Sequence, residues 1–394
     1  MNQIVAGGNR FATDLYAKVT RLEKGNLFFS PNSIHTALCM TYLGARGGTA
    51  QEMADVLHLD HNRDQTAQAF DELIRTLKSP QMVWVEDYVD EEYIQEEIPA
   101  YELSIANALW VLKGYPFRDA YIAEIRERFD AEIGELDFVD DPEGSCRIIN
   151  EWVENVTNQK IKNFLAPEII QSDTRLVLTN AIYFMSNWAE TFEKHLTEDL
   201  PFILADGGKM ICPQMFQLGS YGYLETRDFQ GLSLPYKGHD LEMTIFLPKK
   251  PDGLPAFEKK LTLKNLNKWM GQFKPHDVEI TLPKFQFSFT VGLGDILQAI
   301  GMKLAFEWPG ADFSGMTTGK ELVISEVLHK AFVAVDEDGT EAAAATAVLM
   351  ALGAPFIENI EPKIFKADHP FLFIIRHQKT GAILFMGRLT HPET

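Results

Sequence analysis

An α+β fold is what this sequence predicts, and three observations carry that expectation. Apolar residues recur at helical spacing through much of the first 160 positions, as in Phe11, Leu15 and Val19. Runs such as Leu176–Phe184, Leu232–Leu247 and Val278–Phe289 read as strands, too apolar and too β-branched or aromatic for loops. Third, the stretch Asp336–Phe356 contradicts itself. Ala331–Val335 reads as a strand and Asp338-Gly339 as a turn, yet four alanines after Glu341 favour helix.

In chain order, the first helix carries Phe11, Ala12, Leu15, Tyr16 and Val19 on one face and ends at Gly25-Asn26. Leu27-Phe28-Phe29 is a short strand. Ser30 then caps a helix whose first position is Pro31, which has no N–H to leave orphaned. That helix stops at Gly44, and Thr49-Ala50-Gln51-Glu52 reads as a capping box for the next. From Gln81 to Leu112 there is no Lys or Arg, while Glu86, Asp87, Asp90, Glu91, Glu92, Glu96, Glu97 and Glu102 crowd together. This reads as a solvated loop, or else as a docking surface for a basic protease. Asp119 begins a helix, and another sets Ile148, Ile149, Trp152, Val153 and Val156 on one face.

Apolar residues on both faces of Leu176–Phe184 imply a central, doubly covered strand, with Asn180 a buried amide that must find partners. Leu232–Leu247 forms a hairpin turning at Lys237-Gly238-His239-Asp240. In Val278–Phe289 the apolar parity changes at Pro283-Lys284, which reads as a bulge.

Composition excludes several functions. A net charge of −20 offers no basic face for nucleic acid, heparin or an anionic membrane. No run reaches transmembrane length. Cys39, Cys146 and Cys212 form no metal or redox motif and read as free thiols of a reducing compartment. The first ten residues lack a signal-peptide pattern, so the expected location is cytoplasmic, or secreted if a leader had been removed. No nucleophile elbow, zinc-protease motif or dinucleotide fingerprint occurs, so neither an enzyme, a cofactor nor a metal is expected.

The conflict at Asp336–Phe356 eases if the stretch has two states, an exposed loop and a buried strand. Alternate residues Thr340, Ala342, Ala344, Thr346, Val348 and Met350 would share one face, and the first four are small enough to slide into a sheet. Glu341 falls on the other face.

This Gly-Thr-Glu-Ala-Ala-Ala stretch resembles the hinge and reactive loop of serpins. Phe-Phe-Ser-Pro-Asn-Ser-Ile at 28–34, Leu-Gly-Ala-Arg-Gly-Gly-Thr at 43–49, and the stretch from His369-Pro370-Phe371 to Leu389 resemble that family too. The closing hairpin is nearest the ovalbumin-related branch. The resemblance spans nearly the whole chain and implies one domain over 1–394, three β-sheets, about nine helices and an exposed loop near 337–360. It implies a monomer that traps serine or cysteine proteases covalently, the cut loop inserting as a new strand. Glu337, Gly339, Thr340, Glu341, Ala342, Ala343, Ala344 and Ala345 would be the hinge. Ser30, Ser33, Asn180, Trp188, Lys284 and His329 would form the region where the sheet opens, with Lys284 and Glu337 a half-exposed pair contributing at most about 1 kcal/mol.

Three scissile bonds stay open. The resemblance to inhibitory serpins, whose cut lies at the seventeenth residue counted from the position of Glu337, implies Gly353–Ala354; ovalbumin-like spacing back from His369 implies Phe356–Ile357, and Leu352–Gly353 is the third. None is basic, which points to elastase-, subtilisin- or chymotrypsin-like targets. A non-inhibitory binding, storage or chaperone role is the alternative.

Overall fold

The structure, a computed structural model, describes residues 1–89, 92–319, 322–340 and 361–393, with backbone alone for 86–89 and 92–94. Among these are nine α-helices and sheets of nine, six and two strands. The helices Asn2–Leu22 and Pro31–Gly44 follow from the spacing and capping signals. Phe11, Ala12, Leu15, Tyr16 and Val19 are all buried, and Ser30 Oγ accepts the Ser33 N–H at 3.1 Å.

Two helix readings need correction. The next helix begins at Gly47, ahead of the expected capping box, and has no side-chain cap. Thr49 Oγ1 instead accepts the Asp312 N–H at 2.9 Å, and Glu52 accepts the N–H groups of Lys303 and Leu304, both at 2.7 Å. Distant chain segments outbid the local cap. In helix Pro142–Val156, Ile149 and Val153 are buried but Ile148 faces solvent, one step off the buried stripe.

The hairpin Phe229–Pro235 and Leu241–Pro248 forms as expected. With the closing strands Phe371–His377 and Ile383–Leu389 it lies in the nine-stranded sheet, which packs its apolar side into the main core. Pro283-Lys284 is not a bulge. Lys274–Pro283 pairs with Lys209–Glu225 in the nine-stranded sheet, whereas Phe285–Gly292 pairs with Glu326–Val335 in the central six-stranded one. Apolar parity flips because the chain changes sheets, so the buried side changes with it. The acidic segment is not a loop either. Met82–Val89 and Glu92–Pro99 form an antiparallel ribbon, a sheet of its own.

The central sheet runs Phe285–Gly292, Glu326–Val335, Gly339–Thr340, Leu176–Asn187, Glu102–Leu112 and Glu132–Leu136. Leu176–Asn187 is buried over its first nine residues. One face meets the main core, and the other takes helix Pro142–Val156 through Ala106, Ala108, Trp110, Ile149 and Val153. Cover on both sides explains the unbroken apolar run.

Candidate functional site

The central sheet is not uniformly closed. Glu326–Ala331 pairs in parallel with Val177–Ile182, but the two strands then part. Between them, at one end, sits Gly339–Thr340, antiparallel to both: Thr340 is opposite Val335 on one side and Ser186 on the other. Tyr183–Met185 and Phe332–Ala334 thus flank a slot with no ladder across it among the described residues.

Local chemistry explains why this dipeptide can sit at the mouth. A Cβ on Gly339 would overlap the Ser186 carbonyl oxygen, so the close backbone approach requires glycine. Thr340 is buried, and its hydroxyl is 2.7 Å from the Tyr236 hydroxyl. Tyr236 in turn stacks on Trp188, ring centroids 4.6 Å apart. Trp188 holds the preceding turn, its indole N–H donating to the Asp336 carbonyl at 3.0 Å and its backbone N–H to that of Asp338 at 2.9 Å. Asp336 Oδ1 closes the turn by accepting the N–H groups of Asp338 and Gly339.

Glu337 anchors the same turn. Its carboxylate accepts from Lys284 Nζ at 2.6 Å and from Thr197 Oγ1 at 2.7 Å. Burial pushes its pKa up, but these two donors outweigh burial and hold it below the ordinary carboxylate value. The expected half-exposed pair is half right. Lys284 is 33% exposed at its side chain, but Glu337 only 6%. Removing the lysine therefore leaves a buried carboxylate with one donor, costing more than an exposed pair would. We predict that Lys284→Met lowers stability by about 1–3 kcal/mol, read as a shift of the denaturation midpoint.

The remaining predicted residues form a second cluster within the parallel ladder, where His329 lies opposite Asn180. The Ser30 N–H donates to His329 Nε2 at 3.1 Å, so the ring proton is on Nδ1, which donates to Asn180 Oδ1 at 2.5 Å. Asn180 Nδ2 reaches Ser33 Oγ at 2.5 Å and also Asn107 Oδ1. Ser30 Oγ donates to the Leu384 carbonyl at 2.6 Å. Burial lowers the His329 pKa to about 3, so the ring is neutral.

The predicted sheet-opening residues are thus two clusters. Trp188, Lys284, Glu337, Gly339 and Thr340 surround the mouth. Ser30, Ser33, Asn180 and His329 lie about 20 Å along the strand from Ser186. Glu341–Ala345 and the candidate bonds at Leu352, Gly353, Ala354, Phe356 and Ile357 lie outside the described residues. Sequence reading missed Asn107, Thr197 and Tyr236. Asn107 had a signal, an amide within the apolar run Ile105–Leu109; the other two had none.

A protein with a split central sheet, a short segment seated in the split and a strand-ready alanine run beyond it can be compared with known families. The serpin profile, described as serine protease inhibitor, matches residues 6–392. The chain is a serpin. A serpin-like protein of Thermococcus kodakarensis is 43% identical over 99% of this chain and 86% of its own length. Human Serpin B3 is 38% identical, with both chains fully covered. The crystal structure of Serpin48 from the insect Tenebrio molitor superposes with a TM-score of 0.85 at 31% identity, covering 99% of this chain and 98% of that one. The ovalbumin-type relatives and the serpin fold agree with the resemblance read from the sequence.

Proposed function

We propose that this serpin inhibits serine or cysteine endopeptidases as a suicide substrate. The 1–394 domain offers its reactive loop, about 337–360, to the protease. Attack by the protease nucleophile on the scissile carbonyl forms an acyl-enzyme and frees the new amino terminus. The loop then continues from Thr340 into the slot as a full strand, carrying the acyl-linked protease with it before deacylation.

The observation that supports this most is Gly339–Thr340 seated between strands that are still paired to each other further along. Full insertion would break the six-residue parallel ladder and replace it with two antiparallel ones. A parallel ladder is slightly weaker per residue than an antiparallel one. About ten ladder bonds gained net, at roughly 1 kcal/mol each, give on the order of ten kcal/mol. That is comparable to the whole stability of a typical partner domain, about 5–15 kcal/mol. The serpin supplies the bond that is cut but no catalytic group, so we read it as a substrate that traps and not as an enzyme.

For the target, an uncharged bait at Gly353–Ala354, Phe356–Ile357 or Leu352–Gly353 suits elastase-, subtilisin- or chymotrypsin-like proteases. A relative from Xenopus tropicalis, 36% identical over both full lengths, is named leukocyte elastase inhibitor. Heparin is not proposed as a cofactor, although one structural relative, protease nexin-1, was crystallised with it. We place its action in the cytoplasm as a monomer, a reading that free, buried Cys39, Cys146 and Cys212 support.

The test is incubation with elastase, subtilisin and chymotrypsin. An SDS-stable complex near the sum of the two masses is expected with at least one of them. Mass spectrometry of the released peptide then identifies the bond. If every protease yields only a nicked chain, the protein is a non-inhibitory serpin with a binding or storage role.

A further inference from the structure

We propose that the cavity beside the outer edge of the central sheet is a docking site for an extended basic peptide segment of a partner protein. The cavity, of about 1240 Å³, lies between the acidic ribbon, the end of helix Arg63–Leu77 and the strand Glu102–Leu112. Compact ligands occupy roughly 300–1,000 Å³, so this space suits something longer.

Its floor is a free strand edge. On the inner side, Glu102–Val111 pairs with Leu176–Met185 throughout. On the outer side, pairing with Glu132–Leu136 covers only Ala108–Leu112. Among the described residues, Glu102–Asn107 therefore has no outer partner, and a further strand of about six residues fits there by β-augmentation. Such a strand would extend the line already begun by Glu132–Leu136.

A second observation is independent of the backbone. Asn107 is only 4% exposed and lines the cavity. Its Oδ1 accepts from Asn180, but its Nδ2 donates to no described residue. A peptide carbonyl running along the edge can accept from that amide.

The occupant's side chains follow from the walls. Met82 and Pro99, opposite one another in the ribbon, border the cavity, and the next pair on that face is Trp84 and Glu97. Met82 and Trp84 are 46% and 64% exposed, an apolar shelf continuing out of the cavity. Inside, Leu103, Ile105 and Trp152 offer further apolar surface. Among the described side chains, Glu102 lines the cavity and Glu97 stands on the shelf's face, and the whole Gln81–Leu112 segment carries no cation. Lys78 and Arg126 are already engaged with Asp130 and Glu132. A strand alternating lysine or arginine with aliphatic residues matches both charge and shelf.

The test uses the intact protein and a fluorescein-labelled peptide, acetyl-Lys-Val-Lys-Val-Lys-Val-amide, followed by fluorescence polarisation and hydrogen exchange. Saturable binding is expected, with added exchange protection of amides in Glu102–Asn107. Glu97→Lys, exposed and outside the core on the shelf's face, should weaken binding at least tenfold without moving the denaturation midpoint. No binding at 1 mM peptide overturns the proposal. So does equal binding of the glutamate-for-lysine peptide. Binding without protection at 102–107 would be charge attraction alone and also overturns it.

Discussion

Thr340→Arg is expected to convert the protein from an inhibitor into a substrate, with loss of at least 95% of the SDS-stable protease complex and cleavage still complete. Thr340 is 1% exposed, lies between Val335 and Ser186, and bonds its hydroxyl to buried Tyr236. An arginine there has no room, and the neighbouring carboxylates of Asp336 and Glu337 are already engaged by the turn's N–H groups and by Lys284 and Thr197, so burying its charge would cost several kcal/mol. The guanidinium escapes only by lifting the hinge out of the mouth, and that is the first step of insertion reversed. Cleavage itself does not depend on insertion and stays fast. Deacylation then wins over insertion. Densitometry of complex against nicked chain reads the partition, and a variant that traps protease as well as the parent would remove the insertion mechanism. Thr340→Ser, which keeps the hydroxyl and is smaller by one methyl, should trap normally.

Acidification is the second large effect. His329 and His35 are fully buried, and burial lowers their pKa values from 6.5 to about 3 and about 4. Between those values and 6.5 the unfolded chain takes up a proton at each site and the folded chain does not. Stability therefore rises with pH across this window, is complete above about 6.5, and is lost as the pH falls. Each group contributes up to about 1.4 kcal/mol per pH unit, so descending from 6.5 to 5 costs about 4 kcal/mol for the two. Asp336 and Glu326, whose pKa values burial raises, work in the opposite direction, while His377, whose pKa burial lowers, adds to the loss. Denaturation midpoints at pH 7.5, 6.5, 5.5 and 5.0 measure the slope. His329→Gln should flatten it by about half, and a midpoint that does not change from 7.5 to 5 would contradict the buried, neutral state of both rings.

The two effects act at different places on one strand. His329 is held where the strands are paired, through Asn180, Ser30 and Ser33, and its protonation would put a charge inside the parallel ladder. Thr340 sits where they have already parted. On the proposed insertion mechanism, a sheet that opens to accept a new strand needs a weak place and a closed place. Here the weak place has a glycine-threonine plug and the closed place a network of neutral polar groups.

Local features were legible because short-range physics sets them. Helical spacing placed Phe11, Leu15 and Val19 inward, Ser30 capped as expected, and the apolar run at 176–184 predicted a strand covered on both faces. The pairing of small alternate residues after Gly339 with a polar cluster at Ser30, Asn180 and His329 came from motif order, since nothing in the spacing alone brings positions 30, 180 and 329 together.

By itself, the sequence determined the fold class, the main helices and strands, the strand-ready composition of 340–350 and the lack of charge at 352–357. Only the tertiary structure decided that Pro283-Lys284 is a change of sheet, that the acidic segment is a ribbon, and that Thr49 and Glu52 serve Asp312, Lys303 and Leu304 instead of their own helix. It alone divided the opening residues into two clusters and joined Asn107, Thr197 and Tyr236 to them. The physical reason is range. Spacing and capping act over a few residues, whereas which polar group satisfies another across 150 or 300 positions depends on packing the whole chain.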